Sequence, residues 1–62
     1  MKIKKDETYG EFIKRIRQTL KLTQAELGLK LGFHANTISA WERGRNVPMF
    51  TQRVIDNFVA KK

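Results

Sequence analysis

The sequence predicts an all-α protein built from four short helices. Apolar residues recur at spacings of three and four through most of the chain, and two of these runs open on a threonine followed three residues later by a glutamate. No segment alternates apolar and polar residues as a half-buried strand does. With 62 residues there is room for one domain with a small core, which leaves little body in which to build an enzyme cleft.

Thr8 and Glu11 have the spacing of a capping box, in which each side chain satisfies a backbone N–H at a helix start. Behind them Tyr9, Phe12, Ile13, Ile16 and Leu20 form one apolar stripe, predicting a first helix over about 9–20. Glu11 in its first turn and the cations from Lys14 to Lys21 suit the helix dipole. Residues 1–7 have no periodicity and are expected to form a flexible basic arm, with the folded domain spanning 8–62. Thr23 and Glu26 open a second helix, about 24–31, which turns Leu27 and Leu31 inward and stops at Gly32. A third follows over about 35–43, with Ile38 and Trp41 inward and Gly44 after its end. Arg45 to Pro48 is a loop, and Phe50, Val54, Ile55 and Phe58 give a fourth helix over about 50–60.

Thirteen Lys and Arg against six Asp and Glu leave a net charge of +7, a positive field on a small body that attracts polyanions. Nucleic acid is the first candidate and an anionic membrane surface the second. There is no cysteine, which excludes disulfides and thiolate metal sites, and His34 has no second histidine to share a metal. Glu11 and Glu26 are explained as capping residues and make a poor catalytic pair. The expectation is a chain with no catalytic residue, no metal and no cofactor. No apolar run approaches the roughly 20 residues that span a bilayer, and the charged start lacks a leader's apolar stretch. The expected setting is cytoplasmic, without a membrane partner.

The second and third helices, each of about eight residues around a tight turn, form a helix-turn-helix pair. Gly28 is expected where helix 2 passes close to helix 3. His34, beside the turn, is expected to cap helix 3 or to stand exposed. With Ile38 and Trp41 anchored in the core, the opposite face of helix 3 presents Ala35, Asn36, Ser39, Ala40 and Arg43. These residues are short or polar and include no acid. Such a face fits a major groove about 12 Å wide, where Asn can pair with adenine and Arg with guanine.

Leu22-Thr-Gln-Ala-Glu-Leu27, Leu31-Gly32, Thr37-Ile-Ser-Ala-Trp-Glu-Arg-Gly44 and Pro48 resemble the Cro/cI (Xre-like) phage-repressor family over about residues 10–50. The resemblance implies a four-helix lambda-repressor-like domain that binds double-stranded operator DNA and regulates transcription. It implies base-reading roles for Ala35, Asn36, Ser39, Ala40 and Arg43, and backbone contacts from Thr23, Gln24, Thr37, Arg45 and Asn46. It also implies an ion pair between Arg17 and Glu42 that ties helix 1 to helix 3. The chain departs from the family at Gly28, where alanine is usual, and at Leu29, where a polar residue is usual. A homodimer on an inverted-repeat operator is expected, with Met49, Phe50, Val54 and Phe58 as candidate interface residues. Two alternatives remain. One is an antitoxin-type protein that binds both DNA and a protein partner, and the other is a protein-interaction module. The acid-free face of helix 3 speaks against the second.

Overall fold

The computed structural model describes residues 1–60, so the end of the domain expected at Lys62 lies outside the described residues. Four helices follow one another: α1 Tyr9–Thr19, α2 Gln24–Leu31, α3 Ala35–Glu42 and α4 Met49–Ala60. No strand occurs among the described residues. The architecture is all-α, with boundaries within one residue of those read from the apolar pattern.

The helix starts follow from local chemistry. Thr8 Oγ1 accepts from the Glu11 N–H at 3.1 Å while Glu11 Oε1 accepts from the Thr8 N–H at 2.9 Å. Thr23 and Glu26 repeat this at 3.1 and 2.8 Å. The first three helices end alike. Lys21, Gly32 and Gly44 have φ of 58°, 87° and 112°. The next N–H in each case bonds a carbonyl five residues back: Leu22 to Arg17, Phe33 to Gly28 and Arg45 to Ala40, at 3.0, 2.8 and 3.0 Å. This closure explains why Leu20 and Arg43, expected inside their helices, act as caps. Glycine takes the left-handed conformation freely, whereas at Lys21 it costs about 1 kcal/mol.

Phe12, Ile13 and Ile16 of α1, Leu27 of α2, Ile38 and Trp41 of α3, Val47 of the loop, and Ile55 and Val59 of α4 form one core. Helix α3 packs on both α1 and α2. Backbones approach closely at two glycines. A Cβ on Gly10 would overlap the Trp41 carbonyl oxygen, and one on Gly28 would overlap the Phe33 carbonyl oxygen. Gly28 therefore admits the backbone of the turn, and not the body of α3 as expected. Phe33 lies edge-on to Trp41 with ring centroids 5.0 Å apart, closing the turn over the core.

Polar ties hold the rim. Arg17 Nε donates to Glu42 Oε2 at 2.8 Å and Arg17 Nη2 to Glu42 Oε1 at 3.1 Å, a two-pronged pair joining α1 to α3. The Arg17 side chain is 18% exposed and that of Glu42 5%, so neither charge is well hydrated if its partner goes. The Tyr9 hydroxyl lies 2.7 Å from Asp56 Oδ1 and 3.0 Å from the Gln52 carbonyl oxygen, linking α1 to α4. Burial, and then the Asp56 carboxylate, push the phenol up so that it stays neutral.

Residues 1–7, expected as a free arm, make specific contacts in this structure. Arg15, one of the cations expected to suit the dipole of helix 1, donates from Nε and Nη2 to the two Glu7 carboxylate oxygens, both at 2.9 Å. Nη2 also donates to the Lys2 carbonyl oxygen at 2.6 Å. The guanidinium stands over the Phe12 ring, 5.3 Å from its centroid. Hydrogen bonding to Arg15, then to the Lys4 N–H, holds the Glu7 carboxyl down at about 2.

Two outcomes follow for stability. Gly10→Ala gains helix propensity but forces its methyl against a fixed carbonyl of α3, so it should destabilise by about 1–3 kcal/mol in chemical denaturation. An unchanged unfolding midpoint would mean that α1 and α3 do not approach at Gly10. Glu42→Gln leaves the largely covered Arg17 guanidinium without its counter-charge and should cost about 1–3 kcal/mol, read as a lowered melting temperature.

Candidate nucleic-acid interface

Helix α3 carries the site because its core anchors set its rotation. Ile38 and Trp41 are buried, and Trp41 packs as a core residue. Helical spacing places Ala35, Asn36, Ser39, Ala40 and Arg43 on one strip away from those anchors. On that strip Asn36 and Arg43 are exposed, while Ala35, Ser39 and Ala40 are half-buried. The first turn of α3 has no acidic residue, and Glu42 is turned away into its bond with Arg17. Low side chains leave the backbone of α3 close to whatever docks there, with one amide and one guanidinium projecting at either end of the strip.

The flanks come from α2 and from the loop after α3. Thr23 caps α2, and the Gln24 and Ala25 N–H groups, in the first turn, have no intrahelical partner. An oxyanion at that helix start would meet free donors and the positive end of the dipole. Gln24 Nε2 donates to Glu42 Oε1 at 3.2 Å, which uses one of its two amide hydrogens. This bond fixes the start of α2 against the end of α3, and spacing alone did not show it. Thr37 is half-buried on the edge of α3, and Arg45 and Asn46 are exposed in the loop beyond Gly44. His34, the N-cap of α3, accepts the Asn36 N–H through Nδ1 at 3.0 Å.

The expected interface residues on α4 separate into two kinds. Met49 and Phe50 are 67% and 76% exposed, large values for such side chains. Val54 and Phe58 are half-buried, and Phe58 packs against the core. Together with Lys30, Leu31 and Asn57 they line a shallow hollow between α2 and α4. Ile55 and Val59 are fully covered by the core. Leu29, on α2, is 84% exposed.

Sequence reasoning missed Gly10 and Arg15. Gly10 left a faint signal, since a glycine in the first turn of an apolar helix marks a close approach. The Arg15–Glu7 pairing left none, because an eight-residue separation is no helical neighbour distance. Among the described residues no helix is long and apolar enough to cross a membrane, and no cluster of His, Asp and Glu could hold a metal ion.

No curated protein and no solved structure matches the chain significantly. The helix-turn-helix family profile matches residues 13–52, well over half of the chain, from the middle of α1 into α4. That span contains α2, α3, the turn between them and every residue of the α3 strip. The chain belongs to the helix-turn-helix family of Cro/cI (Xre-like) type, a DNA-binding regulatory domain.

Proposed function

We propose that this protein is a sequence-specific regulator of transcription, of repressor or Cro type, that sets α3 in the major groove of a cytoplasmic operator. The single observation behind this reading is the strip of α3. It is low and acid-free, tipped by Asn36 and Arg43, and held opposite a rigid Ile38–Trp41 anchor. In this reading Asn36 and Arg43 supply the hydrogen bonds to base edges. Ala35, Ser39 and Ala40 let the helix sit deep and can touch thymine methyls. Thr23, Gln24 and the first-turn amides of α2 take one phosphate, and Thr37, Arg45 and Asn46 take others. The net charge of +7 supplies the sequence-independent attraction.

The protein works as a homodimer on an inverted repeat. One strip offers too few contacts for a single site to stand out in a genome, and a two-fold pair doubles them. Phe50, Val54 and Phe58 recur every fourth residue along one edge of α4, with Met49 beside the most exposed of them. This edge follows directly along the chain on the loop that carries Arg45 and Asn46, which sets the proposed interface beside the proposed backbone contacts. A second reading, a DNA-binding protein with a dedicated protein partner of antitoxin kind, draws support from exposed Leu29. Copurification of a stoichiometric partner would distinguish it.

Selection of duplexes from a random pool, followed by binding assays, tests the reading roles. Asn36→Ala should lose about 1–3 kcal/mol on the selected site and little on random DNA. Arg45→Ala should weaken all duplexes alike and flatten the salt dependence by about one unit of slope. An unchanged specificity ratio in Asn36→Ala would remove that residue from the reading role. Sedimentation tests the assembly: two protomers per duplex are expected, with half-site centres about 10 base pairs apart. Phe50→Asp should reduce this to one protomer while leaving the fold intact.

A further inference from the structure

The three capped helix starts are not chemically equivalent. Helices α1 and α2 use threonine hydroxyls, each backed by a glutamate that bonds the cap's own N–H. Helix α3 uses an imidazole. His34 Nδ1 accepts the Asn36 N–H at 3.0 Å, and the first turn contains no acidic residue to reinforce it. A hydroxyl oxygen keeps its lone pairs at any ordinary pH. An imidazole nitrogen accepts only while unprotonated, and the imidazolium is a donor at both nitrogens.

We propose that His34 is an acid-sensitive positioning residue, whose neutral ring holds Asn36 in place for base reading and whose protonation releases it. Protonation removes the acceptor and sets a positive charge at the positive end of the α3 dipole, so both effects loosen the same turn. The acidic side chains of α2, α3 and α4 are committed elsewhere. Glu26 of α2 bonds the Thr23 N–H, Glu42 of α3 is held by Arg17 of α1 and by Gln24, and Asp56 of α4 meets Tyr9. Lys30 of α2 and Arg53 of α4 are exposed cations. None of these hydrogen bonds or ion pairs reaches the ring. The residue whose N–H feeds the cap is also the exposed amide of the α3 strip, so loss of the cap acts where discrimination would be made.

The DNA consequence rests on the operator reading above, and it separates affinity from discrimination. An added positive charge beside the duplex helps binding to any sequence, whereas a loosened first turn harms only the fit to the preferred one. Acidification therefore lowers the ratio of specific to non-specific affinity.

The test compares wild type, His34→Asn (a cap that does not titrate) and His34→Ala (no cap), from about pH 8 to about pH 5.5, where imidazole changes charge. In free wild-type protein the Asn36 amide resonance should follow the same titration curve as the His34 ring, and in His34→Asn it should stay flat. On DNA the wild-type specificity ratio should fall about three- to tenfold on acidification, the size of one lost helix cap. His34→Asn should hold the neutral wild-type ratio throughout, and His34→Ala should be low throughout. An Asn36 amide indifferent to ring titration overturns the cap. Coupling without any pH dependence of the ratio overturns the positioning role. A protein with no preferred duplex at either pH overturns the operator reading, and the positioning role with it, while the resonance measurement still decides the cap.

Discussion

Helix α3 is eight residues long, too short to persist in water on its own propensity. Its existence and its rotation both depend on the seat that α1, α2 and the turn make for Ile38 and Trp41. Two of these approaches are possible only because a side chain is missing: Gly10 admits the Trp41 carbonyl, and Gly28 admits the Phe33 carbonyl. Once α3 is seated, its opposite strip has nowhere to go but outward. The outward strip of α3 is therefore set by core packing alone.

Around that seat the polar interactions add position more than energy. The Arg17–Glu42 pair is largely covered, and Glu42 also holds Gln24, so one carboxylate ties α1, the start of α2 and the end of α3. Such a node gains little net stability, since desolvation offsets much of the attraction. It does fix how α1, the start of α2 and the end of α3 sit against one another. The Tyr9–Asp56 contact has the corresponding role for α4, and Arg15 gathers the first residues of the chain against α1.

Helix α4 divides its apolar residues between two uses. Thr51, Ile55 and Val59 repeat at helical spacing and are buried, which uses one face completely. Phe50, Val54 and Phe58 form the next edge, graded from open to half-covered, and leave an apolar surface that the core of a 62-residue chain is too small to absorb. In a domain of this size, surface left over from the core and surface available to a partner are the same surface.

Much of this was legible in the sequence because the relevant physics is local. Thr8 with Glu11 and Thr23 with Glu26 announce helix starts through bonds closed within four residues, and Gly32 and Gly44 announce ends through a conformation that glycine adopts freely. The spacing of Ile38 and Trp41 fixed which strip of α3 would face outward, given only that both are buried. The partners across space were not legible. That Gly10 faces Trp41, that Gln24 bonds Glu42 and that Arg15 reaches Glu7 depend on how helices cross, and no periodicity encodes a crossing. Lys21 shows the limit most clearly. Nothing in a lysine asks for positive φ, and it adopts that conformation because the chain must reverse there for α2 to reach its place in the core. The sequence by itself determined which segments are helical and which faces are apolar, because those depend on neighbours along the chain. Only the tertiary structure decided which backbones touch and which charges pair, because those depend on neighbours across it.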